Sequence, residues 1–357
     1  MVSVTQLFPR SVGEGATDGV VYNAPSWVFL LVVANFIVFS PLLLYMLYTL
    51  ECVYPALAIV ENENPPAYEP VALDEDGPGH ANAAAVASAD GKPITTSLRA
   101  TDRLMGATGG FFARFRGLFV LWVTSFFNQI LIGIFAGALG KAFTPLATLL
   151  AALTTVQFST AWLHIVISHP KDVSNWKRLP SFKRAFDATW KPTVIFWVAY
   201  EISRWVPELL SVILNYQGPT LVDDGDKMPY WQTRPGDLWK SIVVLVITLL
   251  INLAIIIPAK IVLVRIQASL LPEDDDPIVP FDRSFQGQVD PAVVDGKGYA
   301  TLAVAWSSVT PSSWRRIIIL QAKIFATILG MISLMFLIMI PQMWFIMERV
   351  DKDSGEL

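Results

Sequence analysis

Charged residues and cysteine are both scarce in this sequence. Asp, Glu, Lys and Arg make up 16% of the 357 residues, whereas a soluble domain carries about 25%. A net charge of -4 leaves no basic excess for a phosphate backbone, which excludes nucleic acid as a partner. The single cysteine, Cys52, excludes an internal disulfide and a thiolate metal cluster.

The usual motifs of enzymes and metal sites are missing as well. His164 and His169 do not have the i, i+4 spacing that a helical metal pair needs. The glycine-rich run at 106–110 lacks the Lys-Ser/Thr pair of a phosphate loop. No nucleophile is accompanied by a recognisable base. The sequence therefore predicts that the chain is not an enzyme and uses no metal or cofactor.

Long apolar runs stand in place of charge. Hydrophobic residues account for 54% of the chain, and the mean hydropathy is +0.50. A bilayer core about 30 Å thick needs roughly 20 apolar residues per helix, and lipid offers a non-helical backbone no hydrogen-bonding partners. Tryptophans at many of the run ends favour membrane spans over buried helices of a large soluble protein. We predict an all-α membrane protein with six transmembrane helices, at 27–50, 118–139, 143–168, 193–214, 241–264 and 317–346.

The loops between these runs alternate in charge. Three long loops are basic next to the helix ends, whereas the remaining loops and both termini carry few Lys or Arg residues. The positive-inside rule counts basic residues close to the membrane. It places the three basic loops on the cytosol-like or matrix-like side, and both termini on the opposite side.

Two loop segments are rich in acid and proline. Residues 61–91 also contain many alanines and almost no aromatic residues, which predicts a disordered acidic insert. Residues 272–291, which include the acidic run 273–276, are predicted to be a second disordered segment. Neither is large enough for a soluble catalytic domain.

The proline positions indicate an internal repeat. Pro41 and Pro55 are separated by the same interval as Pro258 and Pro272, and Pro170 takes the second of these positions in the middle of the chain. We therefore predict three related helical hairpins. Chance is the alternative explanation, because proline is common at helix ends.

Each long loop also ends, just before the next span, in an aromatic residue followed directly by a basic residue. We call this short motif the aromatic and basic step. These steps are Phe115-Arg116-Gly117, Trp190-Lys191-Pro192 and Trp314-Arg315-Arg316. Short amphipathic stretches at 97–107 and 301–308 are predicted to lie along the membrane interface. The chain then divides into an N-terminal tail (1–26), repeat 1 (27–139), repeat 2 (140–216), repeat 3 (239–347) and a C-terminal tail (348–357).

These features resemble the mitochondrial carrier family. Its odd helices end in P-x-[DE]-x-x-[KR]-x-[KR]-x-Q, and Pro258, Arg265 and Gln267 match three positions of that motif. The segment 97–118 resembles the family's matrix helix and its exit. The resemblance implies three repeats of two membrane helices and a short matrix helix. It also implies solute transport in a mitochondrial membrane, with both termini facing the intermembrane space.

Several positions depart from the family. Carriers close their matrix side with ion pairs between the acidic and basic positions of this motif. In this sequence the acidic positions hold Leu43 and Lys260, and the basic positions hold Met46 and Leu263. Val156 stands where the middle repeat should have its proline, and the pattern that closes the other side occurs once, at 200–204, nearer its helix start than in carriers. The family's gates are therefore not expected to form.

Charged residues within the spans are the candidate functional groups. An Arg, Asp or Lys at the bilayer centre costs roughly 2.5–3.5 kcal/mol. Even so, Glu201, Arg204 and Glu208 share one face of the fourth span, so Arg204 can pair with either glutamate. The sixth span carries Lys323. One interpretation is a polar cavity for an anion, and the other is an ion pair within one helix with Lys323 extending to the interface.

The resemblance adds two further site residues. Carrier substrates contact the even helices about two turns beyond the aromatic and basic step. Counted in this way, the candidate substrate-binding residues are Lys323, Arg204, Glu201, Tyr200 and Thr124. The implied ligand is a small anionic solute.

Two hypotheses of function follow. The first is a carrier-like protein that translocates a small solute across a mitochondrial membrane. The second is a degenerate carrier-fold protein that works as a scaffold, fusion factor or protein-insertion factor without solute transport, and the loss of the gate charges favours it. The lipid bilayer is the expected partner in both, and no protein partner is identified.

Overall fold

A computed structural model describes residues 26–62, 93–171, 174–218, 220–222, 230–232, 234, 236–285, 287–289 and 298–354. The N-terminal tail and the predicted disordered insert lie outside these residues, apart from Ser26, Glu61 and Asn62. The described part is almost entirely helical, as predicted.

The secondary structure is a succession of helices with one small hairpin. The α-helices are α1 (Ser26–Leu44), α2 (Tyr54–Val60), α3 (Leu98–Gly109), α4 (Leu118–Leu139), α5 (Thr144–Thr154), α6 (Val156–Ile167), α7 (Phe182–Ile213), α8 (Leu238–Ile251), α9 (Ile257–Ser269), α10 (Leu302–Ser307) and α11 (Pro311–Ser354). Segments of π-helix run through Tyr45–Val53 and Asn252–Ile256, and 3-10 helices occur at Ile94–Thr96, Phe111–Phe115, Lys141–Phe143 and Asn175–Arg178. Strands β1 (Thr220–Val222) and β2 (Tyr230–Gln232) pair antiparallel between α7 and α8. The sequence does not predict these strands.

Four stretches of helix are long and apolar enough to cross a membrane. They are Trp27–Val60, Phe111–Leu139, Leu238–Ser269 and Pro311–Ile346, and they contain the predicted spans 1, 2, 5 and 6. The predicted third span is a pair of helices, Lys141–Thr154 and Val156–Ile167, bent by 55°. The predicted fourth span, 193–214, lies in α7 except for its last residue, and three charged residues within the span set it apart from the apolar helices. The helices agree with a multi-pass membrane protein: the described residues contain four clear candidate spans, or five if the bent pair is one span, and six spans are not confirmed.

Two of the spans change from α-helix to π-helix shortly before a proline. Pro55 and Pro258 each stand in the first turn of the helix that follows a π-helical segment. Proline has no N–H, so the carbonyl four residues earlier loses its helical partner. For Pro55 that carbonyl belongs to Glu51, and the Nζ of Lys260 donates to its oxygen at 3.4 Å. Lys260 is therefore half-buried against span 1.

The hydrophobic core lies at one end of the molecule, where α2, α6, α9 and α11 meet. Leu57, Leu163, Ile261 and Ile324 are buried there, one from each helix. The rest of the helical surface is apolar and exposed: α1 exposes most of its side chains, and α8 buries none. We call the end formed by α2, α6, α9 and the loops that follow them the loop face.

A buried ion pair ties the first hairpin to the last on this loop face. Arg316 contacts the Glu61 carboxylate at 3.2 Å, and Glu61 is fully buried. The same carboxylate accepts hydrogen bonds from the backbone N–H groups of Ile94 and Thr95. Arg316 also donates to the carbonyl oxygens of Ala58 and Glu61, at 2.9 and 2.8 Å. Glu61, predicted as the first residue of the disordered insert, is instead one of the most firmly held residues in the structure.

We expect the Glu61→Gln substitution to lower the free energy of unfolding by about 3–5 kcal/mol, because it removes a buried carboxylate charge that pairs with the buried guanidinium of Arg316. Thermal unfolding in detergent micelles can be followed with a thiol-reactive dye, since half-buried Cys52 is the only cysteine. The matched control is Glu273→Gln, which changes an exposed carboxylate. Equal melting temperatures for the two variants would contradict the role given to Glu61.

Candidate functional site: a polar chamber behind the loop face

Arg116 closes the loop face at the end of α6. Its guanidinium donates to the carbonyl oxygens of Ile165, at 2.9 Å, and of Ser168. The last carbonyls of a helix have no partner within it, so they need donors such as these. Gly117 follows with φ +77°, and a Cβ at this position would lie 3.1 Å from Tyr48 and Trp162. In the motif Phe115-Arg116-Gly117, the arginine therefore binds a helix end. The glycine that follows has no side chain to clash with Tyr48 and Trp162.

A hydrogen-bonded chain of polar side chains connects α6 to α9. The His164 Nε2 lies 2.9 Å from the carbonyl oxygen of Gln267. The Gln267 side chain donates to the Ser159 hydroxyl at 3.1 Å. His164 and Gln267 are both buried. This chain closes the interior on the side of the loop face, and we call it the floor.

An acidic loop adds a second connection between the hairpins. Asp275 is buried and pairs with Lys171 at 2.6 Å and Arg178 at 3.0 Å. The backbone N–H of Ile278 donates to the carbonyl of Ile167 at 2.7 Å. The prediction of disorder for 272–291 is therefore wrong for 272–285, because charge pairing and the burial of Ile278 outweigh the acidic composition.

A polar chamber of about 300 Å³ lies next to this floor. Its walls come from α4, α5, α6, α7 and α9, with Thr155 at the break between α5 and α6. The polar lining residues are Thr124, Ser125, Asn128, Gln129, Thr155, Ser159 and Thr193. Ala152, Val156, Phe196 and Leu263 also line it, and none of the described lining residues is charged.

Hydrogen bonds hold part of this lining in place. The Asn128 side-chain NH2 group donates to the Thr155 hydroxyl at 3.1 Å, and the Thr155 hydroxyl donates to the carbonyl of Ala151 at 2.9 Å. Thr124 donates to the carbonyl of Val120 at 2.7 Å. Asn128 therefore braces α4 against the break at Thr155, and the chamber forms where the third span bends.

The five site residues predicted from the sequence do not form one cluster. Thr124 lines the chamber. Arg204 pairs with Glu201 one turn away on α7 and lies 4.6 Å from the ring centroid of Trp205, and Tyr200 is exposed. Lys323 donates to the carbonyl oxygen of Thr96 at 2.8 Å. Within the residues described, no hydrogen bond or ion pair joins Lys323 to the other four.

A second concavity, of about 1010 Å³, opens between spans 1 and 2. We call it the lateral groove, and it is lined by residues of 38–45 and 111–118 together with Asp102. Asp102 accepts from Arg114 at 2.6 and 2.7 Å and from the Tyr54 hydroxyl at 2.8 Å. The bonds from Arg114 hold the pKa of Asp102 below its usual value. Phe112 is 79% exposed at the edge of the groove.

Sequence reasoning missed most of the chamber. Ser125, Thr155, Ser159 and Thr193 are small polar residues that are common in any membrane helix, so nothing in the sequence marks them as a group. The break at Thr155 has no sequence signal either, because Val156 stands where a proline was expected. Asn128 and Gln129 are polar amides within a predicted span, and they were the strongest pointers to this site.

Comparison with known proteins identifies no relative: no family model, no curated protein and no solved structure matches the chain. The mitochondrial carrier family therefore stays a prediction.

The Asp275 connection gives a pH-dependent prediction. Burial by itself raises the pKa of Asp275, but the bonds from Lys171 and Arg178 prevail and leave the pKa below its ordinary value of 3.8. A lowered pKa stabilises the fold above the ordinary value, and that contribution is lost as the pH falls through the pKa of the folded state.

We expect Asp275→Asn to lower the free energy of unfolding by about 3 kcal/mol at pH 7, because Arg178 keeps its buried charge without a counter-charge. The difference from the wild type should shrink as the pH falls below about 4, because the Asp275 carboxyl takes up a proton there in the unfolded chain, and at still lower pH in the folded protein. Melting temperatures measured from pH 7 to pH 3 check both points. Asp274→Asn, at the exposed neighbour, is the control, and a gap that widens in acid would contradict the assignment.

Proposed function

We propose that this chain is a carrier-like multi-pass membrane protein that translocates a small solute. The observation that carries the proposal is the polar chamber, which is open on one side and lies between α4, α5, α6, α7 and α9 next to the floor. A polar chamber among apolar helices is costly unless water or a solute fills it. The solute would enter from the side opposite the loop face, because the floor, Arg116 and the Glu61–Arg316 pair close the other side.

Matching contacts at two helix ends support a set of related hairpins. Arg316 binds the carbonyls of Ala58 and Glu61, as Arg116 binds those of Ile165 and Ser168. Glu61 and Ser168 are each the residue that caps its helix. Arg116, at the start of span 2, binds the end of span 3. In the same way Arg316, at the start of span 6, binds the end of span 1, as a closed ring of three hairpins requires.

The middle hairpin, repeat 2, departs from this pattern. Its basic residue, Lys191, lies over the Trp190 ring at 5.4 Å instead of at the end of α9. The end of α9 is bonded through His164 and Gln267. We infer a threefold arrangement in which one of the three contacts has been replaced.

The helix ends also give a better alignment of the hairpins than the proline spacing does. Leu270 caps α9 as Glu61 caps α2. This alignment brings Thr49, rather than Pro41, opposite Pro258, and Glu51 opposite Lys260. The contact between Lys260 and the Glu51 carbonyl agrees with it, since matching positions of two hairpins meet near a shared axis.

The membrane and the orientation are further parts of the proposal. The basic residues beside the loop face support a cytosol-like or matrix-like side there, with the termini opposite. The mitochondrial location is proposed from the sequence resemblance alone.

Uptake by proteoliposomes tests the proposal. Vesicles containing the purified protein are incubated with a mixture of small metabolites, and the internal contents are measured by mass spectrometry. We expect at least one solute to accumulate above protein-free vesicles. Asn128→Leu should reduce its uptake by about tenfold or more, because it removes a polar wall group and the brace to Thr155.

Controls for this assay come from residues outside the chamber. Phe126→Leu changes an exposed residue of the same helix, and Lys323→Ala and Arg204→Ala change the charges that the sequence proposed for an anion. All three should retain uptake close to that of the wild type. A wild type that enriches no solute would refute translocation.

A scaffold or insertion function is the second candidate, and the lateral groove favours it. The groove combines apolar walls with an ion pair at Asp102 and Arg114, and it opens on the membrane-facing side of α1 and α4. Such a surface suits a transmembrane helix that carries a polar residue. Closure of the loop face by arginine contacts rather than by a ring of exchangeable ion pairs also agrees with a protein that does not alternate.

Site-specific photocrosslinking in native membranes tests this second candidate. A benzophenone side chain at Phe112, beside the groove, should form a discrete protein adduct. The same side chain at Trp122, which is 70% exposed on α4 outside the groove, should react with lipid only. Identical adducts at both positions would count against docking in the groove.

A further inference from the structure

We infer that the chamber binds an uncharged, polyhydroxylated small molecule rather than an anion. This inference rests on the proposed function and names the substrate class of the same site. It reverses the expectation of an anionic solute that followed from Arg204 and Lys323.

The first observation is that the chamber wall, as far as the structure describes it, carries no counter-charge for an anion. The three cations considered within or beside the spans are engaged elsewhere: Arg204 with Glu201, Lys323 with the Thr96 carbonyl, and Lys260 with the Glu51 carbonyl. An anion in the chamber would lose its water without gaining an opposite charge. That penalty disfavours a carboxylate or phosphate ligand.

The second observation is the hydrogen-bonding capacity of the wall. Ser125, Gln129 and Thr193 line the chamber, and their side chains make no hydrogen bond within the part of the chain that the structure describes. Asn128 donates through its NH2 group, and its side-chain oxygen has no donor among these same residues. A purely apolar ligand would leave these groups unsatisfied.

The chemistry of these groups selects the ligand class. A hydroxyl both donates and accepts, and a carboxamide offers two donors and an acceptor. Alcohol hydroxyls complement both kinds of group, because each can donate to one wall atom and accept from another. The apolar part of the wall, including Phe196 and Leu263, suits the carbon atoms of the same molecule.

The volume sets the size. About 300 Å³ corresponds to the space of about ten water molecules. A four-carbon polyol fits this space together with a few waters. We therefore use erythritol as the probe and erythronate, its carboxylate counterpart, as the matched anion.

Two measurements on the full chain separate binding from translocation. Saturation-transfer NMR on the protein in nanodiscs reports binding, and stopped-flow light scattering of proteoliposomes reports solute entry. We expect saturation transfer and entry for erythritol, with both at least about tenfold weaker for erythronate.

The variant Gln129→Leu replaces one wall amide by an apolar side chain of similar size. We expect it to weaken erythritol binding by about tenfold. The hydroxyls of erythritol give up hydrogen bonds to water on binding, and the variant lacks the amide that replaces one of them. The matched control is Gln342→Leu, which makes the same change in α11, where Gln342 bonds to Asn35 away from the chamber. This control should bind erythritol as the wild type does.

Each outcome bears on a different claim. Binding without entry would refute translocation and leave the ligand class standing. Stronger binding of erythronate, or no binding of either solute, would overturn the ligand class. Unchanged erythritol binding by Gln129→Leu would overturn the assignment of the site.

Discussion

The free carbonyl oxygens at the ends of α2 and α6 are the constraint on which the loop face depends. A helix that ends inside a packed membrane protein must find donors for its last carbonyls, because lipid supplies none. Arg116 and Arg316 are those donors, and each belongs to a different span from the helix that it binds. Satisfying the helix ends therefore joins α6 to the start of α4 and α2 to α11, and the floor and the chamber lie beside the first of these contacts.

The sequence was a good guide to the helices and a poor guide to the loops. The span predicted at 118–139 coincides with α4, since a long apolar run has only one stable conformation in lipid. Glu61 and the loop 272–285 were misjudged because composition treats an acidic residue as solvated. Glu61 finds its partner 255 residues away. A pairing over that distance leaves no trace in local sequence pattern.

The candidate site was predicted only in part, and for a different reason. Arg204 and Lys323 stand out in the sequence because charge is rare in spans. Their partners are ordinary ones, a glutamate one turn away and a loop carbonyl. Thr124 lines the chamber, but its neighbours are hydroxyls and amides that membrane helices carry for many reasons. The bend at Thr155 brings these polar residues together, and no proline in the sequence marks the position of that bend.

The length of α11 has a consequence for the opposite face of the membrane. Its 44 residues extend about 66 Å at 1.5 Å per residue, whereas a bilayer with its headgroups is about 40–45 Å thick. The helix starts near the loop face, so even a tilted α11 projects about 20 Å from the membrane on the opposite side. A protein on that side could recognise this molecule by binding the projecting end of α11 alone, without entering the membrane or disturbing the bundle.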